Sequence, residues 1–254
     1  MSHAATSASS SERLRNPLMP TVSHRALVAI PAAIAFVVVL LALIFVISPP
    51  IAALVALAVA VGIGWFLVVR APGLALSALG ARPLEEALHP RAESLVESIC
   101  ASFGISEPQL YTVDTDAIDA AVVGRADATR LVITRGALEK LDRLELEAVV
   151  GRELSLFGNG IHAATVMVSV SKAVGPLGSM IRGRLLDGRQ LARADIDGVQ
   201  LTRYPPALAK ALEKARAGAA VDHDPMSCHL WMVGPARTGV QPLLVERIDT
   251  LREL

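Results

Sequence analysis

The sequence predicts an α+β protein, mostly helical, built from an N-terminal two-helix transmembrane hairpin followed by a domain with a small β-sheet. Three observations predict it. Two uncharged apolar runs, residues 26–47 and 51–69, stand almost back to back. Short runs rich in β-branched residues and bounded by turn residues follow at 108–114 and 129–136. Elsewhere apolar residues recur at helical spacing. Composition agrees: the 254 residues are 53% hydrophobic and only 19% charged, and the mean hydropathy of +0.50 exceeds that of an ordinary soluble domain.

Residues 1–24 are rich in Ser and Ala, carry Arg13 and Arg15, lack an apolar period, and read as a disordered tail. Each apolar run that follows supplies the roughly 20 residues a spanning helix needs. A cleaved signal peptide does not fit the first run, whose apolar core is too long and is followed at once by a second span. Arg13, Arg15 and Arg25 precede the hairpin, Arg70, Arg82 and Arg91 follow it, and the tip "SPP" (48–50) is uncharged. The positive-inside rule then puts both termini and the globular domain in the cytoplasm, with the chain multi-pass in the cell membrane. The expected organisation is a tail at 1–24, a hairpin at 26–69 and a cytoplasmic domain at 71–254.

In the domain, "HPRAESLVESICASFG" (89–104) has a helical stripe of Leu95, Val96, Ile99 and Phe103 ended by Gly104. "PQLYTVD" (108–114), "AIDAAVVG" (117–124) and "TRLVITRG" (129–136) suggest the sheet. Residues 137–157 are strongly helical: a short turn to Leu141, then a longer helix capped by Asp142, with Glu145 three residues on as in a capping box. Residues 161–181 are apolar enough for a third span, but Lys172 sits near the middle and Gly175-Pro176 interrupt the helix. A mid-membrane Lys costs about 2.5–3.5 kcal/mol, so a helix packed on the domain or lying at the membrane surface is the preferred reading. Further helices are expected near 186–201, 205–217 and 242–253.

Twenty-four basic and 24 acidic residues cancel, no basic run occurs, and aromatics are only 4%, so nucleic-acid binding is set aside. Cys100 and Cys228 match no zinc or redox spacing and read as small buried thiols rather than a disulfide. Ser155 has no recognisable His or Asp partner, and no Gly-rich phosphate loop occurs.

Four blocks carry a resemblance: the hairpin; "AIDAAVVGRADATRLVITRGALEKLDRLELEAVVGREL" (117–154); "RQLARADIDGVQLTRYPPALAKALEKA" (189–215); and "HLWMVGPARTGVQPLLVERIDTLREL" (229–254). In order and spacing they are similar to the membrane-anchored HtpX-type zinc metallopeptidases, the gluzincin family related to the CAAX prenyl proteases. The resemblance implies a zincin-like domain, a bacterial setting and a link to protein quality control.

In that family an H-E-x-x-H helix presents two imidazoles one turn apart to zinc, and its Glu acts as general base on the metal-bound water. The resemblance puts those roles at Arg152, Glu153 and Leu156. It puts the third ligand, a Glu, at Leu191, and the carboxylate behind the ligands at Asp195. A substrate-side "H-P-P" becomes Gln241-Pro242-Leu243, and the edge strand's "N-A-F" becomes Asp119-Ala120-Ala121. Arg keeps its proton and offers no lone pair, and Leu offers nothing to a metal. Zinc lowers the pKa of its water from about 15.7 to about 7, which Glu153 alone does not do. The expectation is therefore no zinc or other cofactor, no catalytic residue, and Glu153 as a vestigial general-base position. Glu153 has two readings. It either forms a local salt bridge or is solvated, or Arg152 takes the place of the metal cation and pairs with Asp195, and with Asp197 or Glu153. His223, Asp224, Cys228 and His229 are of ligating types but match no finger spacing, and His162 is off register.

The expected function is that of a membrane-tethered, non-catalytic homologue of an HtpX-type zinc metalloendopeptidase. It would act by binding protein or peptide partners, for instance by strand addition at 117–124. The lipid bilayer is the other partner, and nucleic acid is none. The alternative is an active membrane metalloendopeptidase with non-standard ligands drawn from the His223–His229 cluster. A structural membrane protein is a third possibility.

Overall fold

The computed structural model describes residues 24–44, 47–85, 89–125, 128–156, 161–175, 178, 189–221, 224–233 and 244–254. The expected tail lies outside them except for His24, which already begins helix α1 (His24–Leu43). Helix α2 (Pro49–Leu79) starts with two prolines, whose fixed φ suits a first turn, and ends at Gly80 in the left-handed conformation (φ 67°). It does not stop at 69. It runs through Arg70 and Pro72 for 31 residues, about 46 Å at 1.5 Å per residue. The run continues because its buried seam keeps its period: Ala52, Ala56, Ala60, Gly64, Leu67, Ala71, Ala75 and Leu79. Among the described residues, α1 and α2 are the two helices long and apolar enough to cross a membrane. Ile34, Val38, Leu41, Leu54, Leu57, Val61 and Trp65 are exposed on them, as lipid-facing residues would be.

Four strands follow: β1 (Arg82–Pro83), β2 (Gln109–Val113), β3 (Ala120–Arg125) and β4 (Ala128–Thr134), in the spatial order β1-β2-β4-β3. β2 runs parallel to β4; β1 against β2 and β3 against β4 are antiparallel. The period of 2 along a strand divides the sheet's buried residues between two cores. Ala120, Val122, Leu131 and Ile133 join the main core with helices α3 (Pro90–Phe103), α4 (Arg135–Lys140), α5 (Arg143–Ser155) and α8 (Pro205–Ala217). Ala121, Val123 and Val132 face Ala75 and Leu79 of α2, Val168 and Trp231.

The ambiguous apolar segment forms α6 (Ile161–Val174), a 14-residue helix of about 21 Å, shorter than the roughly 30 Å hydrocarbon layer. Its Val166, Met167 and Val170 pack on Leu27, Val28, Leu67 and Ala71 of the hairpin, while Lys172 is exposed. Val168 joins the cluster under the sheet, so the described part of the segment packs on both the hairpin and the domain; residues 176–177 and 179–181 lie outside the described residues. The last helices are α7 (Arg189–Thr202) and α9 (Leu244–Arg252). Cys100 and Cys228 are buried free thiols.

Candidate functional site

The site is built on α5. Its Asp142 cap is a complete capping box: the Asp142 side chain accepts from Glu145 N–H and the Glu145 side chain from Asp142 N–H, both at 2.9 Å. Lys214 of α8 reaches Glu145 Oε2 at 2.5 Å, fixing the start of the helix. The helix ends at Ser155, two residues earlier than the sequence predicts, and Leu156 is its half-buried C-cap.

α5 and α7 touch backbone to backbone. A Cβ added at Gly198 would lie 2.4 Å from Arg152 Cα, and one at Gly151 would lie 2.6 Å from Thr202 Cγ2. This approach places Asp195, one turn before Gly198, beside Arg152. Arg152 Nε donates to Asp195 Oδ1 at 3.2 Å, and Arg152 Nη1 donates to Glu153 Oε1. Arg247 of α9 donates from Nε to Asp195 Oδ2 at 2.6 Å and from Nη2 to Asp195 Oδ1 at 2.8 Å. Its Nη1 donates to Met232 O at 2.8 Å.

No member of this cluster is solvated. Arg152 and Glu153 are 0% exposed, Asp195 2% and Arg247 3%, so the reading of Glu153 as a solvated residue is corrected. Two guanidinium and two carboxylate groups balance in charge, which is what allows the burial. Burial opposes the Arg152 cation, but Glu153 and Asp195 outweigh it and hold its pKa above the ordinary value. Burial likewise pushes the Glu153 carboxyl up against the pull of Arg152. Asp197 is only half-buried and has Arg193 nearby; the partners of Arg152 are Glu153 and Asp195. Arg152 Nη2 and Glu153 Oε2 have no hydrogen-bond partner among the described residues.

Asp119, at the entry to β3, adjoins the cluster. Its Oδ1 accepts from Ala120 N–H at 2.8 Å and Val233 N–H at 3.0 Å. Burial outweighs these two bonds and raises its carboxyl to about 7. Strand β3 begins at Ala120, so Asp119 serves as a cap for the strand and the 232–233 segment rather than as a strand residue. At its start the edge of β3 is not open. Met232 N–H bonds Ala120 O at 2.8 Å, and Trp231 forms a β-bridge with Ala121. The expected free edge for an added strand is thus filled by the chain itself at Ala120–Ala121.

The zinc implied by the resemblance does not fit these residues. Both carboxylates are bound to guanidinium groups, and the fixed Arg152 charge opposes a dication. Leu156 has no donor atom. Leu191 lies in the first turn of α7. Of the second candidate cluster, His223 lies outside the described residues. The others have separate contacts: Asp224 accepts from Met226 N–H at 2.8 Å, His229 Nε2 lies 2.9 Å from Ala164 O, and Cys228 Sγ faces Pro225 O at 3.4 Å. Among the described residues, no group of three or more His, Cys, Asp or Glu is arranged to hold a metal ion. Gln241-Pro242-Leu243 lies outside the described residues. Ser155 Oγ donates to Arg152 O at 2.6 Å and is buried within the helix pair.

Sequence reasoning missed Arg247. A signal was present: Arg247 shares the buried side of α9 with Ile248 and Leu251, a position where a charge needs a partner.

No family model matches the chain. Curated proteins do. A "Protease HtpX homolog" of Tropheryma whipplei (strain Twist) is 30% identical over an alignment of 227 residues, covering 71% of this chain and 78% of that protein. One of Kineococcus radiotolerans is 30% identical over 232, covering 72% and 79%. One of Streptococcus thermophilus is 25% identical over 243, covering 74% and 81%. With these matches, two helices of membrane-spanning length and a mostly helical domain around a small mixed sheet, the chain belongs to the HtpX protease homologue family.

Proposed function

We propose that this chain is a membrane-tethered, non-catalytic member of its family that acts by holding a protein or peptide partner. One observation carries the reading: the Arg152 guanidinium is bonded to both Glu153 and Asp195 in a fully buried site. In this reading Arg152, Leu156 and Leu191 stand at the three former ligand positions, Glu153 at the general-base position and Asp195 behind them. A cation fixed by covalent attachment satisfies the carboxylates without activating a water. The relatives are named proteases, proteins that act on other proteins, and the retained fold favours a protein partner here.

The hairpin at 26–69 is the anchor, the tail at 1–24 and the domain at 71–254 face the cytoplasm, and the arginine flanks support that orientation. Trp65 and Phe66 are exposed, with Arg70 lying over the Phe66 ring at 5.6 Å, an aromatic and basic pairing that suits a membrane boundary.

The test uses full-length protein in detergent: zinc quantification beside casein cleavage, with and without chelator. Neither zinc nor cleavage is expected, and chelator-sensitive cleavage would overturn the non-catalytic reading. Photo-crosslinkers spread over the domain surface in native membranes test the partner: discrete protein adducts are expected, and their complete absence leaves only an anchoring role.

A further inference from the structure

The first turns of α3 and α5 border one cleft of about 320 Å³, lined by Pro90, Arg91, Ser94, Leu95, Arg143 and Leu146. Leu95 and Leu146 belong to the main core and give the cleft an apolar floor. Arg91 and Arg143 are exposed, and neither side chain makes an ion pair or hydrogen bond among the described residues. The carboxylates nearest in sequence are committed elsewhere. Glu93 lines a separate cleft with Glu97 and Glu107. Asp142 Oδ1 accepts from Glu145 N–H at 2.9 Å, and Glu145 Oε2 holds Lys214 at 2.5 Å. Glu147, one turn beyond Arg143, makes no ion pair with it. Both cations also stand where the fold disfavours them. Arg91 is the second residue of α3 and Arg143 the first of α5, so each helix dipole turns its positive end toward the guanidinium it carries. Like charges brought to one cleft without a counter-charge break a local rule and gain nothing in the isolated chain.

We infer that this cleft binds a phosphate group, carried by a small soluble phosphate ester or by a lipid headgroup. An anion between Arg91 and Arg143 removes their mutual repulsion and the conflict of each with its own helix. A guanidinium presents its donors in a planar fork that matches two phosphate oxygens, and two such forks from different helices hold one tetrahedral anion. The volume stands at the lower end of the range for small-molecule pockets, about 300–1,000 Å³, which leaves room for a phosphate with a short organic group against Leu95 and Leu146. Arg143 and Arg152 are nine residues apart on α5, about 13 Å along its axis, so the cleft is separate from the buried cluster. The inference stands whether or not the chain is catalytic.

The test is phenylglyoxal footprinting of full-length protein in a non-ionic detergent, with the labelling rate at each arginine read by peptide mass spectrometry. Three buffers of equal ionic strength are compared: sodium chloride, inorganic phosphate, and dihexanoyl phosphatidate kept below its micelle concentration. Arg91 and Arg143 are expected to be protected together by an anion, while exposed Arg216 keeps its chloride rate. Protection by inorganic phosphate assigns a soluble ligand, and protection by the phosphatidate alone assigns a lipid headgroup. Losing one guanidinium removes charge-assisted hydrogen bonds, so Arg91→Gln is expected to weaken the anion's protection of Arg143 at least about tenfold, and Arg143→Gln that of Arg91. Absence of protection by both anions, equal protection of Arg216, or an unchanged affinity in both variants overturns the proposal. The wild-type footprint decides the matter by itself should a variant fail to fold.

Discussion

Asp195 holds Arg247 through both of its carboxylate oxygens, at 2.6 and 2.8 Å, while Arg152 reaches one of the same oxygens at 3.2 Å. One carboxylate on α7 therefore answers cations from α5 and α9. Asp195→Asn keeps the shape and removes the charge, leaving two buried cations with one anion. A loss of about 3–5 kcal/mol is expected, as for other broken buried pairs. Denaturant unfolding of the solubilised protein measures it, and a loss below about 1 kcal/mol would contradict the central role of Asp195.

Arg152 and Glu153 should behave as a unit. Arg152→Met leaves Glu153 buried without its cation and is expected to cost about 3–5 kcal/mol. Adding Glu153→Gln removes the stranded charge and should recover more than half of that loss. The same unfolding measurement on the two single variants and the pair gives the coupling. Strict additivity would mean that the two side chains do not interact.

The Asp119 carboxyl titrates near 7 in the fold, raised by burial against its two N–H partners, and near about 3.9 in an unfolded chain. Between those values the native state binds the proton that the unfolded chain has released. The stabilisation is full below about pH 4 and is lost as the pH rises through 7. Asp119→Asn keeps the acceptor oxygen and removes the titration. Thermal melts from pH 4 to 8 should show a flatter profile for the variant and a higher Tm than wild type at pH 8; superimposable profiles would refute this.

Gly198 and Gly73 should respond in opposite ways to alanine. A Cβ at 198 meets the Arg152 backbone at 2.4 Å, so Gly198→Ala must push α7 off α5 at a cost of about 1–3 kcal/mol. At Gly73, inside α2, nothing lies within 4 Å, and alanine should be neutral or stabilise by up to about 1 kcal/mol. Tm shifts of the two variants check both signs together.

Short-range features were the legible ones. The Asp142–Glu145 capping box is a three-residue spacing, and the structure closes it. The preference for a packed helix over a third span at 161–181 rested on Lys172 and on Gly175-Pro176; in the described part, α6 ends at Val174 with Lys172 exposed in its last turn. The length of α2 was not legible, because Arg70 ends the uncharged run but not the helix; an exposed guanidinium tolerates the membrane boundary while Ala71, Ala75 and Leu79 carry the packing onward. The meeting of Arg152 with Asp195 came from aligning two distant blocks with a family pattern, since nothing local in either helix encodes it. The filled edge of β3 depends on a chain return 114 residues downstream, which no local period announces; the buried side of α9 marks Arg247 as needing a partner, but not that the partner is Asp195, 52 residues earlier.

The unbroken course of α2 has a practical corollary. Ala71 is shared with the lipid-side cluster, whereas Ala75 and Leu79 are shared with the cluster beneath the sheet. No proteolytic or recombinant cut between residues 69 and 80 yields a clean water-soluble half: trimming after 69 bares the apolar side of α6, and trimming before 80 strips the underside of the sheet. Purification and assay therefore call for the intact polypeptide in a lipid mimic.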